Sequence, residues 1–131
     1  MQIARQGLGA DASERRSEGQ HVTGGLSWAE PVLASPHGVN IGQVFFEPGA
    51  RTEWHAHEHG QVLHVSAGHG WVIARDGSGG AIAAGDTVFI DPGEEHWHGA
   101  SADHYLLHLA VSLGGIDWLG PVSDADYAAA G

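Results

Sequence analysis

From Val39 onward, the sequence alternates short apolar runs with clusters of Gly, Pro and Asp. The runs have the length of single strands and read IGQVFF, QVLHVSA, WVIAR, TVFI and HYLLHLAVSL, with EPGA, GHG, DGSGG and DPGEE between them. Strand-length runs at such regular spacing are typical of antiparallel sandwiches and barrels. Asp76-Gly77 is a dipeptide that favours a hairpin turn. The pattern therefore predicts an all-β fold.

Composition narrows the chemistry that the chain can carry out. Its 131 residues fit one compact domain, and they include no Cys and no Lys, since all five basic residues are Arg. Disulfides, thiolate nucleophiles and lysine Schiff bases are therefore excluded. The net charge of −11 makes nucleic acid and anionic membranes poor partners. No segment resembles a secretory leader or a membrane span, so we expect a cytoplasmic protein.

We expect three regions within a single domain. Residues 1–38 begin polar and Gly-rich, which predicts an N-terminal arm and an edge strand that packs on the remaining strands. Residues 39–114 hold the strand runs. Residues 115–131 form a C-terminal tail, in which Ser123 is a plausible N-cap before an alanine-rich short helix.

Several histidines occur in pairs with strand spacing. Residues two apart in a strand point to the same face, so His55 and His57 project together, and His96 and His98 do the same. Gln61 opens the next run and shares a face with its inward apolar residues. Imidazole and oxygen donors that converge from separate strands suit a transition metal. The spacing points to a metal site but does not by itself establish that these strands converge.

Three other histidines are expected to lie outside this site. His59 falls in a turn, His64 has the opposite parity to Gln61, and His69 is flanked by glycines. The histidine-rich stretch therefore divides into two candidate ligands and three exterior residues.

Two segments resemble the sequence motifs of the cupin superfamily. GARTEWHAHEHGQVLHVSAG resembles the first motif, with Gln61 in place of its usual Glu, and GDTVFIDPGEEHWHGA resembles the second, with Asp91 where many members have a proline. The resemblance implies a single-domain, jelly-roll-like antiparallel β-barrel with an N-terminal arm and a short C-terminal helix. It also implies a metal bound inside the barrel by four ligands, His55, His57, Gln61 and His96.

The glutamine changes the charge of such a site. Three neutral imidazoles and an amide oxygen leave a divalent cation its full charge, which favours Lewis-acid chemistry on an alcohol or carbonyl oxygen. The loss of an anionic ligand also disfavours an oxidised metal and so weighs against oxygen activation. Alternatively, Gln61 is a tolerated replacement that performs the same role as Glu.

The last long run, HYLLHLAVSL, places His108 among apolar residues. If His108 faces inward, so do His104 and Ser112. An inward imidazole needs a polar partner, which His98 or a substrate can supply; the alternative is a core histidine bonded to a backbone carbonyl. The opposite face is also apolar, which suggests a second sheet layer or a dimer interface.

A narrower resemblance covers about residues 40–127, in FEPGARTEWHAH, GQVL, AGHGW, PGEEHWHGA, LHLAV and DWLGPVSDADY. These segments resemble the bacterial cupin hydroxynitrile lyases, manganese- or iron-dependent enzymes that split or form cyanohydrins. The resemblance implies active-site roles for His98 and His108 and a pocket lined by Gly42, Val44 and Ser112. Ser112 departs from the Gln expected there, which bears on substrate preference. Phe46, Leu63 and Leu106 are the expected apolar wall of the pocket.

The expected reaction is therefore the cleavage or formation of a carbon–carbon bond in a small-molecule cyanohydrin. His108 is expected to act as the base and His98 to stabilise cyanide, although the two roles can be reversed. The expected cofactor is a divalent transition metal, first Mn, with Fe, Ni, Co or Zn as alternatives. A dioxygenase that uses Fe(II) and oxygen on a diketone or aromatic substrate, and a non-catalytic small-molecule-binding cupin, are the competing interpretations. A homodimer or homotetramer is the expected assembly.

Overall fold

The computed structural model describes residues 1–5 and 16–131. Residues 6–15 of the expected N-terminal arm lie outside this part of the chain. The described residues form one curled antiparallel sheet of 12 strands and one short helix, α1. The elements are β1 Ser17–Glu18, β2 Val22–Thr23, β3 Ser27–Ala34, β4 Val39–Phe46, β5 Arg51–Thr52, β6 His55–His57, β7 Gln61–Ala74, β8 Gly79–Ala83, β9 Thr87–Ile90, β10 His96–Ala100, β11 Leu106–Leu113, β12 Ile116–Trp118 and α1 Asp124–Ala130.

The long strand β7 joins the two halves of the sheet. Its first half pairs with β11 and β9, and its second half pairs with β10 and β8. Gly68 lies at the change of partner with a φ of +78°. A side chain there would collide with the Tyr105 backbone, so only glycine allows this approach. The predicted all-β antiparallel fold with a short C-terminal helix is confirmed.

The interior follows the period of two that the sequence shows. Gln61, Leu63 and Val65 are buried along β7, whereas His64 between them is exposed. The core consists of side chains from several strands, among them Phe46, Leu63, Val65, Val72, Ile82, Ile90 and Leu106. Full burial of each such side chain contributes about 1.5–3 kcal/mol.

The interior placement expected for His104 is wrong. Strand β11 begins at Leu106, and His104 lies before it, in the loop after β10. The His104 ring stacks on the outer His69 ring with 4.4 Å between centroids. The alternation of HYLLHLAVSL applies only from Leu106, because the chain turns between Ser101 and Tyr105.

The opposite face of β11 is apolar, as expected, and on the same face of the sheet the neighbouring strands β4 and β3 carry aromatic side chains. Phe45 stacks between Trp28 and Tyr105, with ring centroids 5.5 Å and 5.9 Å apart. Tyr105 is 38% exposed. The expected dimer or tetramer stays a prediction.

The C-terminal tail returns to the sheet and pairs with a strand that carries histidines. In β12, Trp118 lies opposite His55 and Ile116 lies opposite His57. After β12, Ser123 caps α1 by accepting a hydrogen bond from the Asp126 backbone N–H. No helix in the described ranges is long and apolar enough to cross a membrane.

A buried guanidinium binds this tail to the sheet. The Nη2 of Arg51 donates to the Val122 carbonyl at 2.9 Å and to the Asp124 carboxylate at 2.8 Å. Its guanidinium carbon lies 4.7 Å from the centre of the Tyr127 ring. Only 5% of Arg51 is exposed, so this charge depends on these contacts.

We therefore expect Arg51→Ala to lower the free energy of unfolding by about 2–3 kcal/mol, because it leaves a buried carbonyl without a donor. Urea denaturation measures this loss. The control is Arg75→Ala: the ion pair of Arg75 with Glu95 is about half exposed on both sides, and its guanidinium carbon lies 4.0 Å from the centre of the Trp54 ring. That change should cost no more than about 1 kcal/mol. Equal losses in the two variants would contradict the role of Arg51.

Candidate metal centre

Three strands bring the histidine pairs and the glutamine together. His55 of β6 lies directly opposite His96 of β10, and their ring centroids are 4.3 Å apart. The His57 ring lies 5.2 Å from that of His55 and 5.8 Å from that of His96. Gln61, at the start of β7, places its Oε1 3.1 Å from His96 Nε2. All four side chains are buried.

Backbone carbonyls fix the tautomers of two of these rings. His55 Nδ1 donates to the Glu53 carbonyl, and His96 Nδ1 donates to the Glu94 carbonyl, each at 2.8 Å. A carbonyl oxygen can only accept, so the proton of each neutral ring is on Nδ1. The Nε2 of each ring therefore carries a lone pair, which is the form that binds a metal.

The contact between His96 and Gln61 indicates what this site is built to hold. His96 Nε2 and Gln61 Oε1 are both acceptors in these orientations, and they face each other at 3.1 Å with no proton between them. A cation between the two atoms would satisfy both. The pair thus fits a metal better than it fits a hydrogen bond.

Other buried ring nitrogens also lack partners. Neither nitrogen of His57 has a hydrogen-bond partner within the described part of the chain, nor does His98 Nε2. His55, His96 and His98 each offer one nitrogen, and these atoms lie within 4.8 Å of one another. They form a group that could hold a metal ion. His57 lies beside this group, and the four-residue ligand set expected from the sequence stays a prediction.

Burial keeps the histidines of this centre neutral. Burial, together with the neighbouring His96, lowers the pKa of His55 to about 3 and that of His57 to about 4. Burial also lowers the pKa of His96 itself. At neutral pH each ring can therefore offer a lone pair without first losing a proton.

His98 and His108 form a second buried pair beside the centre. His98 Nδ1 lies 3.0 Å from His108 Nε2, so a single proton lies between the two rings. Burial lowers the pKa of His98 well below its usual value, with a further effect from His108, and burial lowers the pKa of His108 to about 4. The polar partner that the sequence requires for His108 is thus His98.

A cavity of about 370 Å³ borders these side chains. Its wall includes Gly42, Val44, Phe46 and Ser112 of the expected pocket, together with His98 and three of the expected metal ligands, His55, His57 and Gln61. Leu63 and Leu106 lie instead in the hydrophobic core. His108 lies behind His98 with no exposed surface.

An aromatic wall of the cavity is visible in the structure but not in the local sequence pattern. Trp118 lines the cavity, and its ring centroid lies 4.9 Å from that of His55. The other neighbour of the Trp118 ring is His21, stacked at 4.2 Å and held by Glu53 through a 3.0 Å contact. His21 has a φ of +57°, which is uncommon for a residue with a side chain. No local pattern indicates these contacts, since they depend on pairing between β12 and β6.

The sequence of residues 42–111 matches the family model of the cupin domain. The chain belongs to the cupin family. This cupin is 42% identical over 104 residues to an (R)-mandelonitrile lyase from Granulicella tundricola, and the match covers 75% of this chain and 79% of that protein. The expected cupin fold is confirmed.

Solved structures agree with this assignment. A cupin-like protein from Thermotoga maritima superposes on this cupin with a TM-score of 0.83 at 36% identity, covering 88% of this chain and 93% of the other. A polyketide cyclase from Streptomyces resistomycificus superposes with a TM-score of 0.64 at 18% identity, covering 82% of this chain and 78% of the other. At such low identity the second likeness shows the fold alone.

The lowered pKa values of the buried histidines should make the stability of the metal-free cupin depend on pH. Folding lowers the pKa of His55 to about 3 and of His108 to about 4, so the unfolded chain binds more protons below its own histidine pKa of about 6.5. Burying these rings in the neutral form therefore costs little folding free energy at high pH, and it destabilises the folded state as the pH falls. At pH 5 we expect a loss on the order of 2 kcal/mol for each of these two rings.

Urea denaturation of the metal-free protein at pH 7.5 and pH 5 measures this loss. His108→Leu should reduce the pH dependence because it removes one of the buried titrating rings. His64→Gln, which changes an exposed ring, should keep it. A wild-type protein equally stable at both pH values would contradict the expectation.

Proposed function

We propose that this cupin is a metal-dependent, hydroxynitrile lyase-like enzyme that cleaves or forms cyanohydrins. One observation carries the proposal: a buried pair of histidines, His98 and His108, lies beside a candidate metal centre, and His98 borders the cavity. A site that only binds a small molecule needs no such pair. The identity to an (R)-mandelonitrile lyase supports the same chemistry.

The proposed ligands are His55, His57, Gln61 and His96. The two rings fixed by backbone carbonyls and the facing Gln61 oxygen supply three of the donors. His57 supplies a fourth, since neither of its ring nitrogens has a hydrogen-bond partner among the described residues. These nitrogen and oxygen donors suit Mn, and also Fe, Ni, Co or Zn. Bound there, a divalent cation supplies Lewis acidity that lowers the pKa of a substrate hydroxyl.

His98 is the proposed general base, because it borders the cavity and its Nε2 has no partner in the described residues. When His98 Nδ1–H donates to His108 Nε2, the Nε2 of His98 carries a lone pair and can accept the hydroxyl proton of a cyanohydrin. This assignment reverses the roles expected from the sequence, in which His108 was the base. His108 instead positions His98 and shares the positive charge that forms on it.

The substrate and His98 together account for every proton and electron in the proposed reaction. The hydroxyl proton passes to His98, the carbon–carbon bond breaks, and cyanide leaves with the bonding electron pair. The carbonyl product forms on the other fragment. His98 then returns its proton to cyanide, which departs as hydrogen cyanide, and the site is restored without an oxidant or a reductant.

Apolar side chains shape the rest of the cavity. Val44 and Phe46 supply apolar surface, and Gly42 leaves space where a side chain would otherwise project. A cavity of about 370 Å³ lies within the size range of small-molecule sites. We propose an aromatic cyanohydrin as the substrate class.

The test is the release of cyanide and benzaldehyde from mandelonitrile under strictly anaerobic conditions, with Mn-loaded and metal-free protein compared. Release that requires the metal but no oxygen supports the lyase. No release above the metal-free sample would overturn the proposal for this substrate. Turnover that appears only when oxygen is admitted would favour the dioxygenase, and binding without turnover would favour the non-catalytic cupin.

A further inference from the structure

Ser112 forms a hydrogen bond with the end of the Gln61 amide that does not face His96. Ser112 of β11 lies directly opposite Gln61 of β7 in the sheet. The Gln61 Nε2 donates to Ser112 Oγ at 3.1 Å, while the Gln61 Oε1 lies 3.1 Å from His96 Nε2. The two ends of one buried amide thus have different partners. Gln61 is only 3% exposed, so bulk water cannot replace either partner freely.

The two ends of an amide have nearly the same shape but opposite functions. Its oxygen carries lone pairs and can bind a cation, whereas its NH₂ group only donates. With the oxygen turned toward the metal centre, the NH₂ group points away and needs an acceptor. Ser112 Oγ is the acceptor it finds. In the reversed orientation, the NH₂ group would instead donate to the lone pair of His96 Nε2 and block that proposed ligand.

From these contacts we infer that Ser112 is a positioning residue for the metal centre. Its hydroxyl accepts from the Gln61 amide and holds Oε1 toward the cation, and the same hydrogen bond increases the electron density on that oxygen. Hydrogen-bond partners of metal ligands commonly change metal affinity by roughly 10–100-fold. Ser112 also borders the cavity, so this one residue both shapes the proposed substrate pocket and positions the proposed metal ligand Gln61. The inference rests on the proposed metal site and does not depend on the lyase reaction.

The test compares two substitutions of nearly equal shape. Ser112→Thr keeps a hydroxyl, and Ser112→Val replaces that hydroxyl with a methyl group. The readout is the affinity of the full-length, metal-free protein for Co(II), followed by its visible absorption in competition with a chelator. We expect Ser112→Thr to bind within about threefold of wild type and Ser112→Val to bind at least about tenfold more weakly. Thermal unfolding of the metal-free variants verifies that both fold, and Ser112→Ala replaces Ser112→Val if the latter does not.

A second pair of variants tests whether the hydroxyl acts through Gln61. In a Gln61→Glu background the ligand has no N–H that needs an acceptor, and either carboxylate oxygen can bind the cation. The difference between Ser112→Thr and Ser112→Val should then fall to within about threefold.

Equal Co(II) affinities of Ser112→Thr and Ser112→Val would overturn the inference. The inference would also be overturned if, in the Gln61→Glu background, Ser112→Thr and Ser112→Val still differed in Co(II) affinity by as much as they do with Gln61 present. The hydroxyl would then act directly on the cation or on its bound water. If wild-type protein bound no Co(II), the metal site and this inference would fall together. Strong Co(II) binding with no cyanide release would remove the lyase reaction and leave the role of Ser112 to be decided by the variants.

Discussion

In the His98→Asn variant, we expect cyanide release from mandelonitrile to fall by roughly 10²–10⁴-fold, the usual contribution of a general base. Asparagine is polar and of similar size, so it can still contact His108, but it cannot accept a proton near neutral pH. Since His98 is not among the proposed ligands, the variant should retain its metal. Steady-state kinetics of the metal-loaded variant, with metal content determined on the same sample, measures both properties.

Two comparisons strengthen this test. His108→Asn should reduce turnover less than His98→Asn, because His108 is fully buried, does not line the cavity and would act on a substrate only through His98. His64→Asn changes an exposed ring on the outer face and should have no effect. If His108→Asn removed turnover while His98→Asn retained it, the base would be His108, and the assignment made from the sequence would be the correct one.

The second large effect is expected at His57. His57→Ala should weaken metal binding by more than about 100-fold, because loss of a direct ligand exceeds the usual effect of losing a partner behind a ligand. It should also reduce cyanide release to the level of the metal-free protein. Dialysis against a metal buffer, followed by elemental analysis, measures the retained metal. The neighbouring exposed His59→Ala is the matched control and should behave as wild type.

This experiment also distinguishes the two possible sets of ligands. His57 belongs to the proposed set, whereas His98 belongs to the group of three nitrogens within 4.8 Å. Retention of metal in His57→Ala together with loss of metal in His98→Asn would show that His55, His96 and His98 hold the ion. The proposed role of His98 as a base would then be wrong as well.

The sequence predicts the faces of the strands well but not the depth of each residue. Period-two alternation correctly places Gln61 and Leu63 inside and His64 outside. It cannot show that Leu63 lies in the core while Ser112 borders the cavity, because both have inward parity. Nor can it order His98 in front of His108, since that order depends on how two strands distant in sequence approach each other.

Contacts made by the chain ends were the least predictable part of the site. Trp118 reaches the cavity because β12 pairs with β6, and no local periodicity indicates which strand a three-residue segment will choose. The same limit applies to Arg51, whose partners lie in the tail more than 70 residues away, at separations of 71 and 73. By contrast, the cupin motifs are local and were recognisable from the sequence alone.

The pairing of β12 with β6 has a practical consequence for redesign. Variation near a chain end is usually tolerated, because terminal segments are often poorly ordered and distant from the chemistry. Here the Trp118 ring directly contacts the ring of His55, and its outer side is covered by His21, which lies near the other end of the chain. A library intended to change substrate scope should therefore randomise residues 116–118 together with the barrel strands, and screening should record metal retention alongside turnover.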